Sequence, residues 1–257
     1  IPVTTTLHGL GCFNENSLQS LHMLGMHGSA YANYSVQEAD LILSLGARFD
    51  DRIIGTASGF GREARKAAEK GRGGIFQVEL EESQLHKTII PTKSYIGDCG
   101  KFLNHIIHNT SHRKRTKWLE RIDYLKRSYP FSYDKISHKI KTQQVIEKIS
   151  EKTMNRDDIM ISTGVGNHQM MSAQFYRWTQ PREMISSGSL GTMGVGVPFA
   201  TGAQIAYPDK TIICIDGDGS FNMSMNELGT IAEYNIPIKI AIMNDSRQQM
   251  VYVWQEL

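Results

Sequence analysis

The sequence contains no run approaching the ~18 consecutive apolar residues that a membrane-spanning helix needs, and no membrane association is expected. Cysteine is scarce: Cys12, Cys99 and Cys214 form an odd, scattered set without metal-ligand spacing. That excludes a disulfide framework and reads as free thiols in a reducing compartment. The net charge is only +2, which argues neither for nor against an acidic partner. The basic residues gather in one stretch, His112-Arg113-Lys114-Arg115 through Lys126-Arg127, which reads as a solvated linker or helix face. Nothing basic and aromatic interleaves elsewhere, so no nucleic-acid partner is expected. There are no internal repeats, no low-complexity tracts and no visible signal peptide. The chain opens on the strand-like Ile1-Pro2-Val3 and stops at Trp254-Gln255-Glu256-Leu257 inside an ordered-looking region. It is therefore expected to be an internal fragment, in which missing targeting signals carry no meaning.

What is present is the composition of a soluble globular protein, 40% apolar and 21% charged, long enough for one large domain or two ordinary ones. Residues 1–108 read as a first α/β domain. Strand candidates Pro2–Leu7, Ala39–Leu45, Ile75–Leu80 and Ser94–Ile96 alternate with helical stretches at Arg62–Lys70, capped by Gly71, and Lys101–His108. Such alternation predicts a parallel sheet with both faces covered. Residues 109–138 read as a linker with one helix, whose Trp118, Leu119, Ile122 and Leu125 share a face before Tyr129-Pro130-Phe131 breaks it. A second α/β domain, 139–257, begins with the helix Thr142–Lys152 and continues through the strand Ile159–Ser162.

The chemistry concentrates in this second domain. The apolar run Thr211–Ile215 ends in Asp216-Gly217-Asp218-Gly219-Ser220; a helical segment and Pro237 lead to a second apolar run, Ile238–Met243, that ends in Asn244-Asp245. A right-handed crossover sets both loops at one sheet edge, where open α/β sheets bind ligands. Two polar loops side by side can hold Mg²⁺ and the phosphates bound to it. Gly217 and Gly219 let a phosphate approach the backbone. Two further loops, Thr163–Gln169 and Ser187–Gly194, are glycine-rich; the first opens a helix whose N–H groups suit an anion. Plain packing would account for Gly194, Gly196 and Met193 taken singly.

Five segments in order carry a resemblance: Leu24-Gly25-Met26-His27-Gly28, Gly46-Ala47-Arg48-Phe49-Asp50-Asp51-Arg52, Gly164-Val165-Gly166-Asn167-His168-Gln169-Met170, Leu190-Gly191-Thr192-Met193-Gly194 and Gly217-Asp218-Gly219. The chain resembles the acetohydroxyacid (acetolactate) synthase catalytic subunits among the thiamine diphosphate enzymes. It covers their middle domain and most of the diphosphate-binding domain, and so implies two Rossmann-like three-layer domains.

The resemblance implies thiamine diphosphate, Mg²⁺ and FAD as cofactors. For Mg²⁺ it points to the side chains of Asp218 and Asp245 and the carbonyl of Arg247. For thiamine diphosphate it points to Val165, Gly166, Asn167 and His168, to Gly191 and Met193 beneath the bent cofactor, and to Gly219, Ser220, Gln248 and Met250. For FAD it points to Thr6, Leu7, Leu24, Gly25, His27, Gly46, Arg48, Asp50, Arg52, Glu79, Asp98, Gln169 and Met170. Arg52 and Trp254 match positions along the substrate channel and, with Met193, are the catalytic candidates. The chain departs from the family pattern at Asp245, where a second Asn is usual, at Arg247, where acidic residues are common, and at Gln249, where Gly is usual. Arg247 is expected to offset the added charge of Asp245.

The implied reaction is decarboxylation of pyruvate and transfer of the two-carbon unit to a second 2-oxo acid, pyruvate or 2-oxobutyrate, in branched-chain amino-acid synthesis. A homodimer or homotetramer is implied, with the presence of a regulatory subunit left open. So is a soluble intracellular site: the cytoplasm in a bacterium, a mitochondrion or plastid in a eukaryote. The family's activating Glu belongs to a preceding domain, so this stretch alone is expected to be inactive. Two other readings stay open: another thiamine diphosphate carboligase or decarboxylase, and a homologue without turnover. The first turn lacks a G-x-G-x-x-G fingerprint, and Arg48 and Arg52 in isolation read equally as surface partners of Asp50 and Asp51.

Overall fold

The computed structural model describes every residue except His112, Ser137 and Leu257. These three, which fall in the basic stretch, the expected linker and the expected second domain, lie outside the described residues. The chain forms two compact units. The first comprises Ile1–Thr6 and Met23–Pro130; the second comprises Leu7–His22 and everything from Phe131 onward. Leu7–His22 thus groups with the second unit, although chain order places it among the first residues. The reason is visible at Glu15, which is buried. Its N–H donates to the Trp178 carbonyl at 3.1 Å and its Oε2 accepts the Trp178 N–H at 3.1 Å.

Two short strands, β1 (Val3–Thr5) and β2 (Ser20–Met23), come first. The expected strand Pro2–Leu7 is shorter than its apolar pattern, because Leu7–Gly9 turns into a 3₁₀ helix. Ser29 starts α1 (Ala30–Glu38) by accepting the Ala32 N–H on its hydroxyl. The sheet of the first unit is parallel, in the order β3 (Leu41–Leu45), β4 (Gly74–Glu79), β5 (Lys93–Ile96). Around it run α2 (Asp51–Ile54), α3 (Arg62–Glu69) and α4 (Cys99–Asn109), the last capped by Asp98. Gly71, at φ +70, follows the end of α3 in the left-handed conformation expected of a C-terminal glycine.

The expectation of a sheet covered on both faces holds only for β4. Leu41, Leu43 and Leu45 of β3 are 36–47% exposed, and all of β5 is exposed. The first unit's core is gathered on β4 and the helices instead: Val36, Phe49, Ile54, Phe60, Ala64, Ile75 and Ile89. α5 (Thr116–Ser128) packs on α1 through Ile122 and Leu125, and Arg121 pairs with Glu38 at 2.6 Å. Its buried stripe is narrower than the expected four residues, since Leu119 is 40% exposed.

In the second unit, α6 (Thr142–Thr153) precedes a parallel sheet in the order β7 (Met184–Ile185), β6 (Ile159–Thr163), β8 (Thr211–Gly217), β9 (Lys239–Met243). The chain leaves β6 to one side through α7 (Asn167–Phe175) and returns past it through α8 (Gly196–Ala206) to β8. Between β6 and β8 the connections therefore diverge, and such a switch point leaves a crevice at the strands' C-terminal ends. α8 approaches the sheet through Val197, Ala200 and Ala203, which form a core with Met160, Ile212 and Cys214. β8 leads directly into α9 (Asp218–Asn222), then α10 (Glu227–Glu233); α11 (Gln249–Glu256) follows β9. No described helix is long and apolar enough to cross a membrane.

Candidate functional site

Four loops meet at the crevice between β6 and β8 and enclose a cavity of about 260 Å³. The loop after β6 supplies Val165, Gly166, Asn167 and His168 to its wall. Gly166 starts α7 at φ +152, a conformation that side-chain residues avoid. The loop before α8 supplies Gly191 and Met193, and its Gly194 N–H donates to the Ser220 hydroxyl at 2.9 Å. The turn after β8 supplies Gly217, Asp218, Gly219 and Ser220. Asp218 is the first residue of α9, whose N-cap position is Gly217.

The loop after β9 supplies Asp245, Arg247, Gln248, Gln249 and Met250. It is built from two successive side-chain turns. Asn244 Oδ1 accepts the Ser246 N–H at 3.0 Å, and Asp245 Oδ1 accepts the Arg247 N–H at 3.1 Å. Every position matched to thiamine diphosphate or Mg²⁺ thus borders one cavity.

These residues fit the implied groups. Among the described residues no three His, Cys, Asp or Glu side chains form a metal cage. Mg²⁺ does not require one: it is held by one or two carboxylates and completes its shell with phosphate oxygens and waters. Asp218, Asp245 and the Arg247 carbonyl are such a partial set. The floor is open for an anion: a Cβ at Gly219 would meet nothing closer than Gln248 Cγ at 3.7 Å and Met193 Cε at 3.9 Å. A larger hollow of about 740 Å³ lies at the other end of the same sheet, between α6 and the starts of β8 and β9. Its apolar floor, with Ile149 and Ile213, and its rim of Lys148, Lys152 and Lys239 carry no glycine loop or carboxylate for this chemistry.

The positions matched to FAD fall in both units. In the first, Gly46, Glu79 and Asp98 stand at the C-terminal ends of β3, β4 and β5. Glu79 is buried, while Asp98 Oδ1 accepts the Lys101 N–H at 2.9 Å. Asp50 caps α2 by accepting the Ile53 N–H, and Arg48 lies 3.5 Å from it. Leu24, Gly25 and His27 belong to a turn held against Arg52, whose carbonyl accepts the Met26 N–H at 2.7 Å. Burial and the nearby Arg52 charge, in that order, push the His27 imidazole below its ordinary value. The Arg52 side chain is 63% exposed, 3.9 Å from Asp51 and 3.7 Å from Met26 Sδ. Thr6 is half-buried just past β1.

In the second unit, Leu7 is half-buried and Met170 lies in α7. Gln169 donates from Nε2 to the Ser186 hydroxyl at 2.7 Å. Trp254 is not brought to the cavity: it sits on α11, 60% exposed.

Two features escape a reading by motif. Thr142 and Met171 line the cavity from helices whose apolar period gives no sign of it. Asp216 is wholly buried behind the Gly-Asp-Gly turn; the available signal was a carboxylate inside an otherwise apolar strand.

Residues 1–106 match the thiamine pyrophosphate enzyme central domain, and residues 164–257 match the C-terminal TPP binding domain of the same enzymes. The chain is 48% identical to the mitochondrial acetolactate synthase catalytic subunit of Aspergillus candidus, 45% to that of Saccharomyces cerevisiae, and 38% to the chloroplastic acetolactate synthase of Arabidopsis thaliana. Each alignment covers 100% of this chain and 38% of the relative. The chain therefore spans well under half the length of the relatives it matches. Two consecutive domain matches and this identity over its whole length make the chain a member of the thiamine pyrophosphate enzyme family, homologous to acetolactate synthase catalytic subunits.

Proposed function

We propose that this chain is the central and diphosphate-binding part of an acetolactate synthase catalytic subunit. The complete subunit decarboxylates pyruvate and joins the two-carbon unit to a second 2-oxo acid, pyruvate or 2-oxobutyrate, toward branched-chain amino acids. The observation that carries this reading is the single cavity bordered by Asp218, Asp245, Met193 and the glycine loops. In this reading residues 1–108 form the FAD-contacting domain, 109–138 connect it, and 139–257 bind the diphosphate.

Thiamine diphosphate, when bound, supplies the nucleophilic carbon and the electron sink that pyruvate decarboxylation needs. The chain's own residues orient and shield it. Asp218, Asp245 and the Arg247 carbonyl hold Mg²⁺. The N–H groups around Gly166 and Gly219, with Ser220 and Gln248, receive the phosphates. Met193 would lie beneath the bound cofactor and offer it an apolar surface, supplying the positioning its chemistry needs. Gly46, Arg48, Asp50, Glu79 and Asp98 serve FAD, and Arg52 and Trp254 serve the substrate channel. The working assembly in this reading is a homodimer or homotetramer, the catalytic-subunit naming of the relatives favours a regulatory subunit beside it, and this stretch alone is inactive.

The test is acetolactate formation from pyruvate by the complete polypeptide supplied with FAD, thiamine diphosphate and Mg²⁺. Product that disappears on chelating Mg²⁺ supports the reading. Both cofactors bound without product would favour a homologue that has lost turnover, the reading that Asp245, Arg247 and Gln249 bring forward.

A further inference from the structure

One loop of the second unit, residues 186–194, touches both the FAD-matched Gln169 and the cavity. Gln169 is 8% exposed. Its Nε2 donates to the Ser186 hydroxyl at 2.7 Å and to the Ser187 carbonyl at 3.3 Å. A backbone carbonyl only accepts. The amide must therefore turn its NH₂ toward Ser187 and its Oε1 the other way. The Ser186 hydroxyl is itself held, 2.6 Å from Thr163 Oγ1 at the end of β6. Gln169 Oε1 has no hydrogen-bond partner among the described residues, yet it is not closed off from solvent. It is an acceptor on a fixed amide, suited to an N–H or O–H donor of a ligand.

The same loop lies against the 3₁₀ turn that begins at Leu7, another position matched to FAD. A Cβ at Gly188 would begin 2.4 Å from His8 Nε2 and 3.0 Å from Leu7 Cδ2. Ser187 then reaches toward the cavity. Its carbonyl faces Gln169, while its hydroxyl accepts the Thr192 N–H at 3.1 Å. Thr192 precedes Met193, whose Cε comes within 3.9 Å of the Cβ position over Gly219. Residues 189–192 are exposed, Leu190 at 90%. An exposed segment with few buried contacts takes its conformation from its few ties. Here these are the Ser187 hydroxyl on one side and the bond from Gly194 to Ser220 on the other.

We propose that Ser187 is a positioning residue that couples the two cofactor sites: its carbonyl holds Gln169 with Oε1 free for a donor on FAD, and its hydroxyl holds the loop that carries Met193 to the thiamine diphosphate cavity. The inference rests on the proposed synthase reading. A donor seated on Oε1 fixes the amide, the amide fixes the Ser187 peptide, and the Ser187 hydroxyl fixes Thr192. FAD should therefore tighten Mg²⁺·thiamine diphosphate. By linkage the thiamine cofactor should tighten FAD by the same factor.

The experiment uses the complete polypeptide stripped of both cofactors. Mg²⁺·thiamine diphosphate is titrated by calorimetry with and without FAD, and FAD is titrated by its fluorescence with and without Mg²⁺·thiamine diphosphate. In the wild type each cofactor is expected to tighten the other about fivefold, the size of one hydrogen bond. Ser187→Ala keeps the carbonyl and loses the hydroxyl, so the mutual tightening should vanish while FAD alone still binds. Ser187→Thr keeps a hydroxyl and should restore the tightening. Ser186→Ala should weaken FAD severalfold and leave Mg²⁺·thiamine diphosphate affinity in the FAD-free protein unchanged. Independent binding of the two cofactors in the wild type, or mutual tightening that survives in Ser187→Ala, overturns the proposal. Ser187 is only half-buried, so Ser187→Ala should unfold near the wild-type temperature; failure to fold would assign Ser187 a purely structural role and overturn it too. A wild-type protein that binds no FAD or no thiamine diphosphate refutes the synthase reading itself, a result distinct from any of these.

Discussion

The guanidinium of Arg247 lies over the ring of Tyr252, 4.4 Å from its centroid. Its backbone N–H meanwhile donates to Asp245 Oδ1. One residue therefore fixes the carboxylate that departs from the family pattern and parks a positive charge on the first turns of α11. In the proposed site, Arg247 in this position would moderate the repulsion between Asp245 and a diphosphate. Arg247→Glu is expected to weaken Mg²⁺·thiamine diphosphate binding roughly fivefold, as ~1 kcal/mol from a partly exposed charge allows. Tighter binding in that variant would refute the compensation.

Asp218 and Asp245 are predicted to act together on the metal. Losing even an outer-shell partner of a metal site costs roughly 10–100-fold in affinity. Asp218→Ala and Asp245→Ala should therefore each raise the Mg²⁺ concentration needed for cofactor binding at least about tenfold. Asp245→Asn keeps an oxygen in place and should be tolerated. Mg²⁺ titrations monitored by cofactor binding decide it, and indifference to Asp245→Ala would remove that residue from the metal site.

Gly164 and Gly219 separate space needed for folding from space needed for binding. A methyl group on Gly164 would begin 1.8 Å from Asp216 Oδ1 and 2.5 Å from Ser220 Oγ, so Gly164→Ala should destabilise the protein by about 1–3 kcal/mol, the range for overpacked sites. Gly219→Ala meets its nearest atom only at 3.7 Å. It should leave the unfolding temperature nearly unchanged while weakening cofactor binding by narrowing the cavity.

The acid response has one traceable contributor. The hydrogen bond from Arg156, with a second from Thr211, holds the Asp158 carboxyl down from its ordinary 3.8 to about 2. The folded state thus binds this proton less readily than the unfolded chain. Its stabilising contribution is complete above about pH 4, shrinks as the pH falls toward 2, and is modest because the pair is solvent-accessible. Unfolding temperatures of wild type and Asp158→Asn should differ at neutral pH and converge toward pH 2. A gap that persists there would assign the effect to Thr211 packing instead.

The second unit was readable from its sequence because apolar runs stop abruptly at polar turns. Thr211–Ile215 ends at the Gly-Asp-Gly turn and Ile238–Met243 at Asn244-Asp245, so strand ends and cavity loops declare each other. The first unit was less readable. The continuous apolar run Ala39–Leu45 predicts burial, yet Leu41, Leu43 and Leu45 are exposed, because local pattern does not tell how many neighbours a strand will have. The excursion of Leu7–His22 to the second unit depends on Glu15 and Trp178, residues far apart in sequence whose pairing no local signal records. Trp254 matches a channel position by resemblance, and nothing in the sequence signals that it stands exposed on α11.

β9 pairs with β8 on one side and with no described strand on the other. That unpaired edge runs along the apolar sequence Ile240-Ala241-Ile242, and an open strand edge offers a template to an extended chain. Adding a strand there would act on solubility and on chemistry at once, because the same strand carries the Asp245 loop at its end.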